Sequence, residues 1–205
     1  VSSAWTSYFY ESNSTTNSSG YGTFLATYPV ISVLIAICHC MLIMSIPIIV
    51  RLFSIEGAYS QSVDIIPLIS LGILLHGNYL IFTKTLVWKK KTALLATTSG
   101  ISVLVNIILN FLLIPVYGIS GAAVATVISY ASIFLLGLFF SQKVHYIGFP
   151  LKITFASISF AVIFTLLQLS EEIPKRIEML SESLILLFII GLLMLSLHSL
   201  RKSLN

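Results

Sequence analysis

Charge is scarce in this chain: Asp, Glu, Lys and Arg make up only 9% of its 205 residues, against 57% that are hydrophobic. A water-soluble globular domain carries about a quarter of its residues charged, so that class is excluded. Carboxylates are scarcer still, and none of the seven falls near the middle of an apolar run; Asp64 stands at the edge of one. Cysteine is nearly absent. The two present, Cys38 and Cys40, flank His39, and three consecutive helical side chains point about 100° apart, so they cannot converge on one metal ion. A disulfide between positions i and i+2 of a helix is strained, which leaves both cysteines as small residues tolerated in an apolar helix. No basic stretch precedes the first apolar run, so no removable leader is visible. Long polar loops are also missing, and with them room for a soluble catalytic domain.

What the chain has instead is six apolar stretches, at 28–50, 65–88, 93–116, 119–141, 152–170 and 183–200, each close to the roughly 20 residues a helix needs to cross a bilayer. A membrane β-barrel would show alternating segments of about ten residues; these runs are continuous. The expected fold is an all-α polytopic membrane protein of about six transmembrane helices. Its parts are 1–27, the aromatic end of a preceding helix and a Ser/Asn-rich cytoplasmic loop; 28–142, four helices; and 143–205, a terminal helix pair with a cytoplasmic tail.

Basic residues fix the orientation. Lys84, Lys89, Lys90, Lys91, Lys143, Lys152, Arg201 and Lys202 gather on one side of the six runs, with only Arg51, Lys175 and Arg176 on the other. The positive-inside rule puts the first group, and the C-terminus, in the cytoplasm. The net charge of +4 therefore reflects topology and is not a nucleic-acid footprint.

Polar residues within the runs form two stripes. Ser99, Ser102, Asn106 and Asn110 fall within an arc of about 80° on a helical wheel, and Gly72, His76, Tyr79 and Thr83 within about 60°. Polar groups facing lipid are costly, so both stripes are expected to face other helices or a water-filled cavity. Two readings stay open: amides and hydroxyls that join helices, or groups lining a substrate path. His76 is a neutral hydrogen-bonded histidine or a proton carrier. Lys84 either snorkels to the interface or makes a cationic inner mouth. After the third run, Pro115 is expected to cap the helix and Tyr117-Gly118 to turn the chain. Gly121, Ala122, Ala123 and Ala125 then open the fourth run, and small residues at i and i+4 allow close approach of backbones. Runs three and four are thus expected to form a tight hairpin with a polar inner face.

The stretch "NIILNFLLIPVYGISGAAVATVISY", residues 106–130, resembles the signature hairpin of Wzx-type polysaccharide flippases, in the multidrug/oligosaccharidyl-lipid/polysaccharide exporter superfamily. The resemblance rests on Asn106, Asn110, Pro115, Tyr117, Gly118, Ile119, Gly121, Ala122, Ala123 and Thr126. The segment 58–92, with Tyr59, Pro67, Gly72, Gly77 and Lys89 to Lys91, resembles the preceding helix of that family. The resemblance implies most of the second lobe of a two-lobed, MATE-like transporter in a bacterial inner membrane. The first lobe would belong to the same longer chain or to a partner. It further implies a flippase, not an enzyme, that moves a polyprenyl-pyrophosphate-linked oligosaccharide to the outer leaflet for O-antigen or other surface polysaccharide, working beside other polysaccharide-assembly membrane proteins. No cofactor or metal is expected. The path candidates are Asn106, Asn110, Ser99, Ser102, His76, Tyr79, Thr83 and Lys84; Pro115, Tyr117, Gly118, Gly121, Ala122 and Ala125 shape the hairpin.

Three rivals remain. A drug/cation antiporter of the same superfamily would favour a midspan carboxylate, which this chain lacks. A truncated, non-transporting remnant would explain the missing lobe. A membrane glycan polymerase or acyltransferase would call for a large external loop or a histidine clustered with an acidic or Arg partner; His39, His76, His145 and His198 are scattered over separate segments.

Overall fold

The computed structural model describes residues 18–53, 63–146 and 151–169. Four helices occupy them: α1 (Ser18–Phe53), α2 (Ile66–Trp88), α3 (Thr92–Val144) and α4 (Leu151–Leu169). All four are long and apolar enough to cross a membrane, and no strand occurs among the described residues. The aromatic segment before residue 18 and the sixth run, 183–200, lie outside the described residues. The described portion thus has four helices where six spans are expected; the third and fourth predicted runs are continuous in α3, and the sixth lies outside the described residues.

α3 is 53 residues long, more than twice the length a bilayer requires. Helical geometry breaks inside it at Gly118, whose φ of 57° and ψ of −135° reverse the chain between a first arm, 92–117, and a second, 119–144. Only glycine enters that backbone region without strain. Pro115 does not cap the first arm but sits inside its last turn, where the loss of one backbone donor is tolerated close to the break. Replacing Gly118 with Val is expected to lower stability by about 1–3 kcal/mol, the usual cost of forcing a side chain into such a conformation. Unfolding of purified protein in mixed micelles, titrated with SDS, reads that loss.

α1 also departs from the sequence reading. It begins at Ser18, inside the Ser/Asn-rich stretch assigned to a loop, whereas its membrane-length apolar part is 27–50, close to the predicted run. Hydropathy marks where a helix can sit in lipid; backbone hydrogen bonding can carry the same helix on into water.

α2 is the central helix and packs against each of the other three. Its buried residues, among them Ser70, Leu71, Leu74, Asn78, Phe82 and Leu86, are spread around more than one face, as expected for a helix surrounded by protein. Phe82 is fully buried, with its ring 5.5 Å from that of Tyr28 on α1 and 5.6 Å from that of Phe134 on α3; Phe134 in turn meets Phe155 of α4 at 6.2 Å. This aromatic row links all four helices, with tilted and edge-on geometries that suit ring quadrupoles.

One end of the bundle is basic. Lys89 lies over the Trp88 ring at 3.7 Å, and Trp88 meets His145 edge-on at 5.4 Å. Partial burial and the neighbouring Lys89 charge both push the His145 pKa down. Asp64, the single carboxylate among the described residues, lies at the opposite end of α2.

Candidate functional site

The α3 hairpin closes through small residues and a polar ladder. A Cβ placed on Gly121 would lie 2.5 Å from the Leu113 carbonyl oxygen, so only glycine allows the two arms to come this close. Ala123 and Ala125 are buried just beyond it, and Ala122 is half-buried, its carbonyl accepting a hydrogen bond from the Thr126 hydroxyl. Further along, Ser102 Oγ donates to the Ser129 carbonyl at 2.7 Å. Asn106 Nδ2 donates to Ser129 Oγ at 3.3 Å, and Asn110 Nδ2 donates to Asn106 Oδ1 at 2.9 Å. The Ser129 hydroxyl is left free to accept because it donates its own proton to the Thr126 carbonyl. In apolar surroundings each of the two bonds that cross to Ser129 contributes about 0.6 kcal/mol on average.

Of the predicted stripe, then, Ser102 is buried and Asn106 and Asn110 are half-buried, with Ser102 and Asn106 reaching the second arm. Ser99 is a correction: it is exposed, and Thr98 is the buried hydroxyl in its place, 3.3 Å from Tyr79 Oη. An 80° arc is wide enough that its edge can leave the contact, and the wheel alone does not say where the neighbouring helix lies. Asn110 also lines an open depression of about 420 Å³ on one face of the first arm, together with Ile107, Phe111, Ile114 and Pro115. The hairpin tip is open, with Pro115, Tyr117 and Gly118 all exposed.

The α2 stripe has a different role from the one its polarity suggests. Tyr79 lies where a Cβ on Gly137 would go, 2.5 Å from its ring, and Tyr130 stands likewise over Gly72 at 2.8 Å. Each tyrosine thus fills the space left by a glycine on the other helix, two turns apart, with α2 and the second arm of α3 running parallel. His76 sits in this lock, its ring 5.1 Å from that of Tyr130 and 5.8 Å from that of Tyr79. Thr83 donates to the Leu80 carbonyl of its own helix at 2.7 Å, and Lys84 is half-buried toward the basic end. Gly72, His76 and Tyr79 therefore meet the second arm of α3, and Tyr79 also reaches Thr98 of the first arm. Tyr130 and Gly137, which complete the lock, carry no signal in a polarity-based reading; their spacing, matching that of Gly72 and Tyr79, is the trace that could have revealed them.

A polar junction unforeseen in the sequence lies elsewhere. His39, in the Cys-His-Cys run read as inert, is buried on α1 with both ring nitrogens occupied. Nδ1 is 3.0 Å from Ser70 Oγ of α2, and Nε2 is 2.9 Å from Thr165 Oγ1 of α4. Cys38 is exposed and Cys40 buried, both as free thiols, and no group of His, Cys, Asp or Glu among the described residues could hold a metal ion.

These features define the class: a multi-pass membrane protein, helical throughout its described spans, whose longest helix folds into a polar-laced hairpin. Comparison of the chain with protein families, with curated proteins and with solved structures finds no match.

Proposed function

We propose that the chain is part of a bacterial inner-membrane flippase that carries a polyprenyl-pyrophosphate-linked oligosaccharide to the outer leaflet for surface polysaccharide such as O-antigen. In this reading it forms most of one lobe of a two-lobed exporter, with six spans and a cytoplasmic C-terminus. The observation that carries the proposal is the open depression at Asn110: one amide, itself bonded to Asn106, on a helix face otherwise made of aliphatic and aromatic groups. Such a surface suits an amphiphile, whose hydrocarbon can lie on Ile107, Phe111 and Ile114 while a polar group meets the amide. A sugar chain with a pyrophosphate cannot cross hydrocarbon unaided, because its hydroxyls and charges would be left unpaired. A hairpin that offers an amide on an otherwise apolar face lowers that barrier while the polyprenyl tail stays in lipid. A hydrophilic cation would gain little from the same depression, which has no carboxylate.

Replacing both Asn106 and Asn110 with Leu is expected to leave membrane insertion intact, since Leu is favoured in a transmembrane helix. It is expected to reduce outward transfer at least tenfold, measured as the fraction of lipid-linked oligosaccharide reachable from the outer face of cells carrying each variant. Unchanged transfer with intact surface glycan, in cells where the chain is the sole candidate, would overturn the assignment.

A further inference from the structure

His39 joins three helices, and the donors and acceptors around it are more flexible than an ordinary buried histidine needs. Ser70 Oγ is 3.0 Å from the Pro67 carbonyl, and Thr165 Oγ1 is 2.8 Å from the Ala161 carbonyl. When both hydroxyls donate to those carbonyls, each turns a lone pair toward the ring, and the ring must then donate from both nitrogens. That is the hydrogen-bonding pattern of an imidazolium. When either hydroxyl rotates its proton toward the ring, a neutral imidazole is satisfied instead, donating from one nitrogen and accepting at the other. Both protonation states thus find partners with no movement beyond a hydroxyl rotation. The remaining cost of charge, its burial among apolar helices, needs access to water.

A partly polar cavity lies one helical turn away. Of about 340 Å³, it is lined by Ile43, Pro67 and Leu169, with Asp64 and Gln168 supplying its polar wall. Ile43 is one turn beyond His39 on α1 and Leu169 one turn beyond Thr165 on α4, while Pro67 is the residue whose carbonyl holds Ser70. All three helices of the junction therefore reappear in the cavity wall, one turn from His39, Ser70 and Thr165 along each helix. The groups facing the junction are Ser70 from α2 and Thr165 from α4, with Asp64 and Gln168 at the cavity; no described lysine lies among them.

We infer that His39 is a proton-binding site loaded through the Asp64-lined cavity, so that one proton is taken up at the junction of α1, α2 and α4. A hydronium ion in the cavity breaks an O–H bond and leaves water; an N–H bond forms on the imidazole, and release is the reverse. The Asp64 carboxylate, at the end of the bundle opposite Lys89, raises the local concentration of cations at the mouth. The consequence is a junction of α1, α2 and α4 that keeps both of its hydrogen bonds in either protonation state while its charge changes by one. The inference rests on the junction and the cavity and does not depend on the cargo proposed above.

The test is 15N NMR of the full chain, labelled on histidine, in liposomes titrated from about pH 4 to pH 8, a range around the ordinary histidine pKa. The His39 signal is the one missing from a His39→Gln variant. Should that variant fail to fold, His76→Gln, His145→Gln and His198→Gln together leave His39 as the sole histidine. The expected result is a reversible conversion from neutral ring to imidazolium, with a midpoint that moves to lower pH in Asp64→Asn and in Ser70→Ala. A His39 ring that holds one neutral tautomer across the range overturns the inference, as does a titration that neither substitution moves.

Discussion

Replacing Gly121 with Leu is expected to destabilise the protein by about 3 kcal/mol or more, the upper end of what overpacking a well-packed site costs. The atom that a new Cβ would meet at 2.5 Å is a backbone carbonyl oxygen, that of Leu113, with the carbonyl carbon at 2.7 Å. A side chain can rotate away from such a clash; a carbonyl within a helical turn cannot move without opening the arms. Opening them lengthens the Asn106 to Ser129 bond, already at 3.3 Å, and with it the support for Asn110. Loss of stability and loss of transfer should therefore appear together. Gly100→Leu is the matched control, because a Cβ there meets nothing within 4 Å and the residue is exposed. Its expected effect is within about 0.5 kcal/mol, as for surface substitutions generally. Equal SDS-unfolding midpoints for the two variants would show that the close approach at Gly121 contributes nothing.

Phe82→Ala is expected to have the next largest effect. In a lipid-solvated chain the ring gains little from leaving water, because lipid tails are as apolar as the core, so the cost comes from lost packing. Removing a phenyl group leaves roughly 100 Å³ to fill, and at about 24 cal/mol per Å³ an unrelaxed cavity costs about 2 kcal/mol. The site cannot collapse easily, since Tyr28 and Phe134 approach Phe82 from different helices and each is anchored on its own backbone. Phe82→Leu, which keeps most of the volume, should recover more than half of the loss. The comparison of the two unfolding curves checks both figures.

The hairpin was the feature most legible in the sequence. Small residues after a Pro and a Gly, flanked by apolar runs of membrane length, leave a chain few alternatives to folding back on itself, and Gly118 and Gly121 have the roles their position suggests. The polar stripes were legible only as stripes. A helical wheel puts Asn106 and Gly72 on defined faces, but which neighbour each face meets depends on helix rotation and register. Hence Ser99 falls outside the contact, while His76 and Tyr79 fall inside a tyrosine–glycine lock. His39 was set aside for a sound local reason, that its cysteine neighbours diverge. Its partners, Ser70 and Thr165, are 31 and 126 residues away in sequence.

By itself the sequence determined that this is a helical membrane protein and where its helices can sit, because apolar run length and backbone hydrogen-bond satisfaction in lipid are local properties. It likewise determined the reversal at Gly118, which depends on one residue's backbone freedom. Only the tertiary structure decided that α2 is central, that Asn106 reaches Ser129, and that His39 rather than His76 holds the three-helix junction. Those are pairings between segments, and hydrocarbon gives little preference among apolar faces. Interdigitated side chains and a few polar bonds choose among them, and neither is written in the period or composition of any one helix.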